Sequence, residues 1–161
     1  MAKATHRNVI MISIHPEFAH AIFRGDKKVE FRKLNIPKHI EHVVLYVTAP
    51  EGKIAGYFSV KGVIEEKPSE LWEKFRDVSG TTKDFFFKYY GNQVAGLGLL
   101  VDEVEVLQNP IALDKIAGGG RPPQSFRYVD SSLWKALKRR KKQTRPSGKC
   151  QGSGELQPNR K

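Results

Sequence analysis

Read from the N-terminus, the apolar positions first run together and then spread out. Val9-Ile10-Met11-Ile12-Ser13-Ile14 is a short, largely β-branched block, which predicts a buried strand. Pro16 then stands at a plausible first helical position, Phe18, Ala19, Ile22 and Phe23 share a helical face, and Gly25 ends the segment. Lys28 to Lys33 alternates apolar and charged residues. That pattern predicts a strand with Val29 and Phe31 inward and Glu30 and Arg32 on the opposite face. Two further strands, 43–47 and 54–60, flank Pro50 and Gly52 and read as a hairpin, and Gly62 marks a bulge or bend before Val63-Ile64.

The middle of the chain changes period. Leu71, Trp72 and Phe75 fall on one helical face, Thr81-Thr82-Lys83-Asp84 has the form of a capping box, and Phe85, Phe86, Tyr89 and Tyr90 follow at helical spacing before Gly91. Aromatics so spaced are read as core rather than as a base-stacking surface. Strand character returns from Val94 to Leu107, with a shift of phase at Asp102-Glu103 that suggests a bulge, and Pro110–Leu113 reads as a short edge piece. The loop Gly118-Gly119-Gly120-Arg121-Pro122-Pro123 leads into Gln124–Tyr128. Asp130 or Ser131 then caps a helix carrying Leu133, Trp134 and Leu137 that ends in Lys138–Lys142. Strands in mixed order with helices between them, and no regular βαβ alternation, predict an α+β fold: a small, strongly bent sheet or barrel with helices at its rim. The expected organisation is a flexible N-terminus (1–8), one domain (9–142) and a disordered tail (143–161) whose Ser, Gly, Pro, Gln and Lys cannot build a core.

With 161 residues the chain suits one core. A mean hydropathy of −0.48 and the lack of a long uncharged apolar run argue against a membrane-spanning helix. The first residues lack the pattern of a secretion leader, and the single Cys150 can form no internal disulfide, so a cytoplasmic setting is expected. The net charge of +11 is not spread evenly: residues 135–161 hold ten Lys/Arg against Glu155 alone, and the rest of the chain has 18 basic and 16 acidic residues. Such an end attracts any polyanion through counterion release, whatever the domain before it does.

Common catalytic signatures are missing. The three glycines at 118–120 are not followed by Gly-Lys-Ser/Thr, there is no HExxH, and one cysteine with histidines at 6, 15, 20, 39 and 42 lacks ligand spacing, so neither metal nor cofactor is expected. His15 and His20 read as solvated or capping. Gly25-Asp26-Lys27-Lys28-Val29-Glu30-Phe31-Arg32 is the densest chemistry in the chain, although an isolated Glu30–Arg32 pair opposite the core is ordinarily a solvated salt bridge of little energetic weight.

The element Gly25-x-Lys27-x-x-Glu30-x-Arg32, preceded by Ser13-Ile14-His15-Pro16-Glu17, resembles the opening of ASCH domains, small relatives of the PUA fold. The likeness continues through Val44–Pro50, Ile54–Phe58, Phe85–Gly91 and Asn109-Pro110-Ile111, and Pro122–Tyr128 is similar to the closing segment of one subgroup, so that it spans about Val9 to Val129. The resemblance implies a PUA-like β-barrel with a cleft beside the first helix that binds RNA or a nucleotide-like ligand. In that cleft Lys27 and Arg32 would contact phosphate, Glu30 would accept hydrogen bonds or hold Lys27, and Tyr46 or Tyr128 would stack on a base. Ser13, Thr48, Gln124 and Ser125 would complete it. Bacterial N4-acetylcytidine amidohydrolases resemble the same segment but carry threonine where Glu30 stands, and a carboxylate cannot form the acyl-enzyme of a hydroxyl nucleophile. Their activity therefore does not transfer. A hydrolase or ribonuclease using Lys27 with Glu30 as a general base remains the alternative to a binding module.

Overall fold

The computed structural model describes residues 5–33, 35–116 and 120–144. Among these residues six strands, β1 (Thr5–Ile14), β2 (Val29–Arg32), β3 (His42–Val47), β4 (Lys53–Glu66), β5 (Gly96–Ala112) and β6 (Phe126–Asp130), form one mixed sheet in the order β2-β5-β4-β3-β1-β6. Only β1 and β3 run parallel. The helices are α1 (Pro16–Arg24), α2 (Pro68–Phe75), α3 (Lys83–Tyr90) and α4 (Ser131–Thr144).

The uninterrupted apolar block of β1 follows from cover on both faces. Ile10, Ile12 and Ile14 join Val43, Leu45 and Val47 of β3 in a core under α1. Val9 and Met11 join Val44 and Tyr46 in a second core closed by Leu133, Trp134 and Leu137 of α4. A strand buried twice has no reason to alternate. A third, smaller cluster puts Leu71 and Trp72 of α2 and Phe86 and Tyr90 of α3 against Val29 and Phe31 of β2.

Local chemistry sets the boundaries. Gly25 adopts φ 84°, the left-handed cap that ends α1. The Thr82 hydroxyl accepts from the Phe85 amide at 3.2 Å to begin α3; with Phe85 rather than a carboxylate in the third helical position, the reciprocal half of a capping box is missing. The Asp130 carboxylate accepts from the Leu133 amide at 2.8 Å and caps α4. The strand pairing shifts register between Val60 and Gly62, where a bulge was expected.

Several boundaries differ from the sequence reading. Pro110–Leu113 is no separate edge piece: β5 continues to Ala112, where Ile111 pairs with Ile54 of β4. The backbone of Thr5 pairs with Asp130, so β1 begins inside the stretch expected to be flexible. Residues 145–161 of the expected tail, with Gly118 and Gly119 of the loop, lie outside the described residues.

The expected barrel is an open sheet. Among the described residues β2 and β6 are its edges and no ladder joins them. The sheet nevertheless curls: the Arg32 Nη2 on edge strand β2 donates to the carbonyl of Ser13 on β1 at 2.7 Å, across three intervening strands in the sheet order. There a side-chain contact, and no backbone ladder among the described residues, bridges the seam.

Candidate functional site

That seam opens into a cleft of about 320 Å³, at the small end for ligand sites. The parallel pairing of β1 with β3 brings their C-terminal ends together, with Ile14 opposite Val47. Ser13, Ile14, His15 and Thr48 consequently share one wall. β2 supplies Glu30 and Arg32, the turn before it Lys27, α1 Phe18, α3 Phe85 and Tyr89, and the segment before β6 Gln124.

Glu30 and Arg32 do lie on the strand face opposite Val29 and Phe31, but that face is not solvated. Lys27 is 3% exposed and Glu30 6%, and the Arg32 side chain, at 14%, is mostly covered. The Glu30 carboxylate sits between two cations, with Oε2 3.6 Å from Lys27 Nζ and Oε1 3.3 Å from Arg32 Nε. Neither contact replaces a hydrogen bond: Arg32 Nε is buried with no acceptor in bonding geometry. Two cations around one carboxylate leave the floor of the cleft with net positive charge and with acceptor capacity on Glu30. The reading of this pair as a solvated salt bridge is thus corrected by its burial.

Lys27 is held on several sides. Its ammonium donates to the Ser79 carbonyl at 2.5 Å and lies 5.3 Å from the centre of the Phe18 ring and 5.1 Å from that of Phe31. Burial pushes its pKa below the ordinary 10.5, and Glu30 beside it restores part of the loss. Gly80, at φ 65°, has no room for a side chain, since a β-carbon there would stand 2.7 Å from the Lys27 Cβ. Ser79 is itself buried, its hydroxyl donating to the Arg76 carbonyl at 2.9 Å and accepting from the Thr81 amide at 3.3 Å. The Ser79-Gly80-Thr81 turn is therefore a clamp on the lysine. Nothing in its sequence beyond an ordinary Ser-Gly turn signals that role.

The aromatic quartet of α3 divides. Phe86 and Tyr90 are buried as expected, whereas Phe85 is 44% exposed and Tyr89 partly so, and both face the cleft. Phe85 meets Phe18 edge-on at 5.3 Å, and Phe18 in turn meets His15 at 6.1 Å. The Tyr89 hydroxyl accepts from the Lys33 amide at 3.2 Å, while that of Tyr90 lies 3.0 Å from the Arg32 carbonyl and ties α3 to β2. Burial raises the pKa of both phenols, so they stay protonated donors at neutral pH.

Of the residues expected at the site, Ser13, Lys27, Glu30, Arg32, Thr48 and Gln124 come together around the cleft. The Ser13 hydroxyl donates to the Pro123 carbonyl at 2.7 Å, which pins the loop that carries Gln124. Tyr46, Tyr128 and Ser125 are not among the lining side chains. Tyr46 points into the core beneath α4, and Tyr128 stands 38% exposed against Phe126 on edge strand β6. The aromatics that do border the cleft come from α1, α3 and, with Phe31, β2.

An α+β sheet left open at a seam of buried opposite charges, with aromatic side walls, is the class to which this protein belongs. Residues 12–109 match the ASCH domain family, and the chain belongs to it. A protein of Zymomonas mobilis subsp. mobilis named ASCH domain-containing ribonuclease is 28% identical over 134 residues, 80% of this chain and 89% of its own length. The crystal structure of ASCH from Zymomonas mobilis shares the fold with a TM-score of 0.76 at 24% identity, covering 83% of this chain and 96% of that one. The N-terminal domain of Staphylothermus marinus McrB is a more distant fold relative, with a TM-score of 0.53 at 12% identity over 87% of this chain and 98% of its own. No helix among the described residues is long and apolar enough to cross a membrane.

Proposed function

We propose that the cleft binds RNA or a modified nucleotide, as the domain spanning residues 9–142 of a cytoplasmic protein whose tail (143–161) adds affinity of its own. The observation that carries the reading is the burial of Lys27, Glu30 and Arg32 around one small cleft. Taking Lys27 and Glu30 out of water, with Arg32 mostly so, is costly, and such clusters of desolvated charge mark functional sites more often than chance. Arg32 offers a planar fork to a phosphate, Lys27 a point charge, and Glu30 an acceptor for a base amine. Ser13, Thr48 and Gln124 add neutral donors and acceptors, and Phe18 and Phe85 offer a surface on which a base can stack. Ser125 would join only if the segment before β6 moved on binding, whereas Tyr46, packed beneath α4, and Tyr128, on β6, have no part in this cleft. The relative named as a ribonuclease supports RNA as the ligand class.

The test is the affinity of short single-stranded RNA for the protein and for Arg32→Gln and Lys27→Met. Weakening of at least about tenfold with a lower salt dependence is the expected result. Binding that ignores both substitutions would dismiss the cleft as the site.

A second reading, catalysis, is favoured by the lowered pKa of Lys27. In its deprotonated form Lys27 would take the proton of the attacking 2′-hydroxyl as that oxygen bonds to phosphorus, and the bond to the 5′-oxygen would break as the resulting ammonium or a water returns a proton to it, leaving a 2′,3′-cyclic phosphate. Incubation of labelled RNA separates the two readings: cleavage lost in Lys27→Met with binding retained indicates an enzyme, and intact RNA under saturating protein indicates a binding module.

A further inference from the structure

The positive charge of α4 is arranged unlike that of the cleft. Leu133, Trp134 and Leu137 lock one face of the helix into the core, Asp130 caps its start, and the Arg140 Nη1 donates to the Asn109 carbonyl at 3.3 Å. These contacts fix which side faces outward. Lys135, Lys138 and Arg139 stand exposed there, and none of them has an ion pair with a described residue. Lys138 rests its ammonium 5.5 Å from the centre of the Trp134 ring, which holds the charge at the surface rather than neutralising it. No acidic residue occurs between Lys135 and Lys142.

Helix electrostatics does not explain this pattern. The helix dipole favours cations within the last turn, whereas α4 runs on to Thr144, beyond these three by more than a turn. Lys135 has like charges at both i+3 and i+4, Lys138 and Arg139, an arrangement that opposes helix formation. Compensation from outside the chain removes the conflict. A membrane surface is a poor source, because a helix that lies on lipid turns its apolar side chains outward, and those of α4 are committed to the core. A string of phosphates spaced along a backbone meets the need without requiring any apolar contact.

We propose that the outer face of α4 is a second nucleic-acid contact, at which Lys135, Lys138 and Arg139 hold the phosphodiester backbone of single-stranded RNA without reading its bases. It rests on the cleft reading only for the choice of RNA as the polyanion.

The test compares the full chain, a triple variant Lys135→Gln/Lys138→Gln/Arg139→Gln, and a control Lys149→Gln/Arg160→Gln/Lys161→Gln that removes equal charge from the tail. A 20-nucleotide single-stranded RNA of mixed sequence is titrated across a salt series, with anionic vesicles as a parallel probe. Loss of three phosphate contacts lowers the slope of log affinity against log salt by about 2. We expect that drop in the α4 variant, a smaller one in the tail control, and no change in either when the RNA sequence is varied. Equal drops in both variants would mean undirected charge and overturn the proposal, as would an unchanged slope or vesicle binding that alone responds to the α4 changes. Arg32→Gln separates the two sites: if it leaves RNA binding intact while the α4 variant weakens it, the cleft reading fails and this one stands.

Discussion

The cleft and the α4 surface both hold positive charge, and they hold it in opposite ways. Lys27 and Arg32 are withdrawn from water, share one carboxylate and are fixed by a carbonyl each. Lys135, Lys138 and Arg139 stand in solvent with no acidic partner among the described residues. Buried charge makes geometry matter, because desolvation removes the freedom to rearrange and makes every missing partner costly. Exposed charge is screened and tolerant, and acts as a sum over the surface. On the readings proposed above, one domain carries a region that selects a ligand and another that only retains it.

The largest effects should separate the two by mechanism. Glu30→Ala leaves two buried cations without a counter-charge and should lower stability by about 3–5 kcal/mol. Lys27→Met added to it should restore a measurable part of the loss in chemical denaturation, because it removes one of those cations. Additive losses in the double variant would show that Glu30 acts by packing alone. Under α4 the comparable loss is apolar: Trp134→Ala removes a ring packed 5.0 Å from Tyr57 and should cost about 3–5 kcal/mol, with no dependence on salt.

A smaller loss sharpens the clamp on Lys27. Gly80→Ala places a β-carbon against the lysine stem at a left-handed φ and should cost roughly 1–3 kcal/mol. RNA affinity should fall more than Tm does, as the ammonium shifts away from Glu30. Affinity equal to that of the wild type would mean that the turn does not position the lysine.

A pH series reads the same lysine more gently. Its pKa is lowered in the fold, so between that lowered value and 10.5 the native protein binds fewer protons than the unfolded chain, and stability rises with pH. Denaturant midpoints collected up to about pH 9, before the unfolded-state phenols of Tyr57, Tyr89 and Tyr90 ionise around their ordinary 10.0 and act in the reverse direction, should show this rise. Lys27→Met should flatten it, and an identical rise in that variant would assign the effect elsewhere. Smallest of all, the triple substitution on the outer face of α4 should move stability by no more than about 0.5 kcal/mol, as exposed sites do.

How much of this was legible in the sequence depended on the range of the interaction. Pro16 and Gly25 delimit α1 through backbone chemistry within a few residues, and the alternation in β2 correctly puts Glu30 and Arg32 on one face. What covers that face was not legible, because it comes from β1, α1, α3 and a turn some fifty residues away, as the Lys27–Ser79 bond illustrates. The α3 aromatics made the same point. Helical spacing sets Phe85 and Tyr89 a residue before Phe86 and Tyr90, and only the packing of α3 on β2 determines which pair is buried. The open seam was hidden for a related reason: strand count and bend suggest closure, while the polar contact found at the seam joins elements distant in sequence.

The place of β1 in the sheet has a consequence for biosynthesis. Its partners lie on both sides, β3 nearby in sequence and β6 about 120 residues later. As the polypeptide leaves the ribosome, β1, β3 and β4 can pair early, yet Val9, Met11, Val44 and Ile54 stay bare until β6 and α4 arrive to cover them. Contacts of such long range are slow to form, and exposed apolar strands are the surfaces that chaperones intercept and that aggregate when they do not. Completion of this core thus waits for α4, and a chain released short of Leu137 would be a substrate for quality control rather than a smaller working domain.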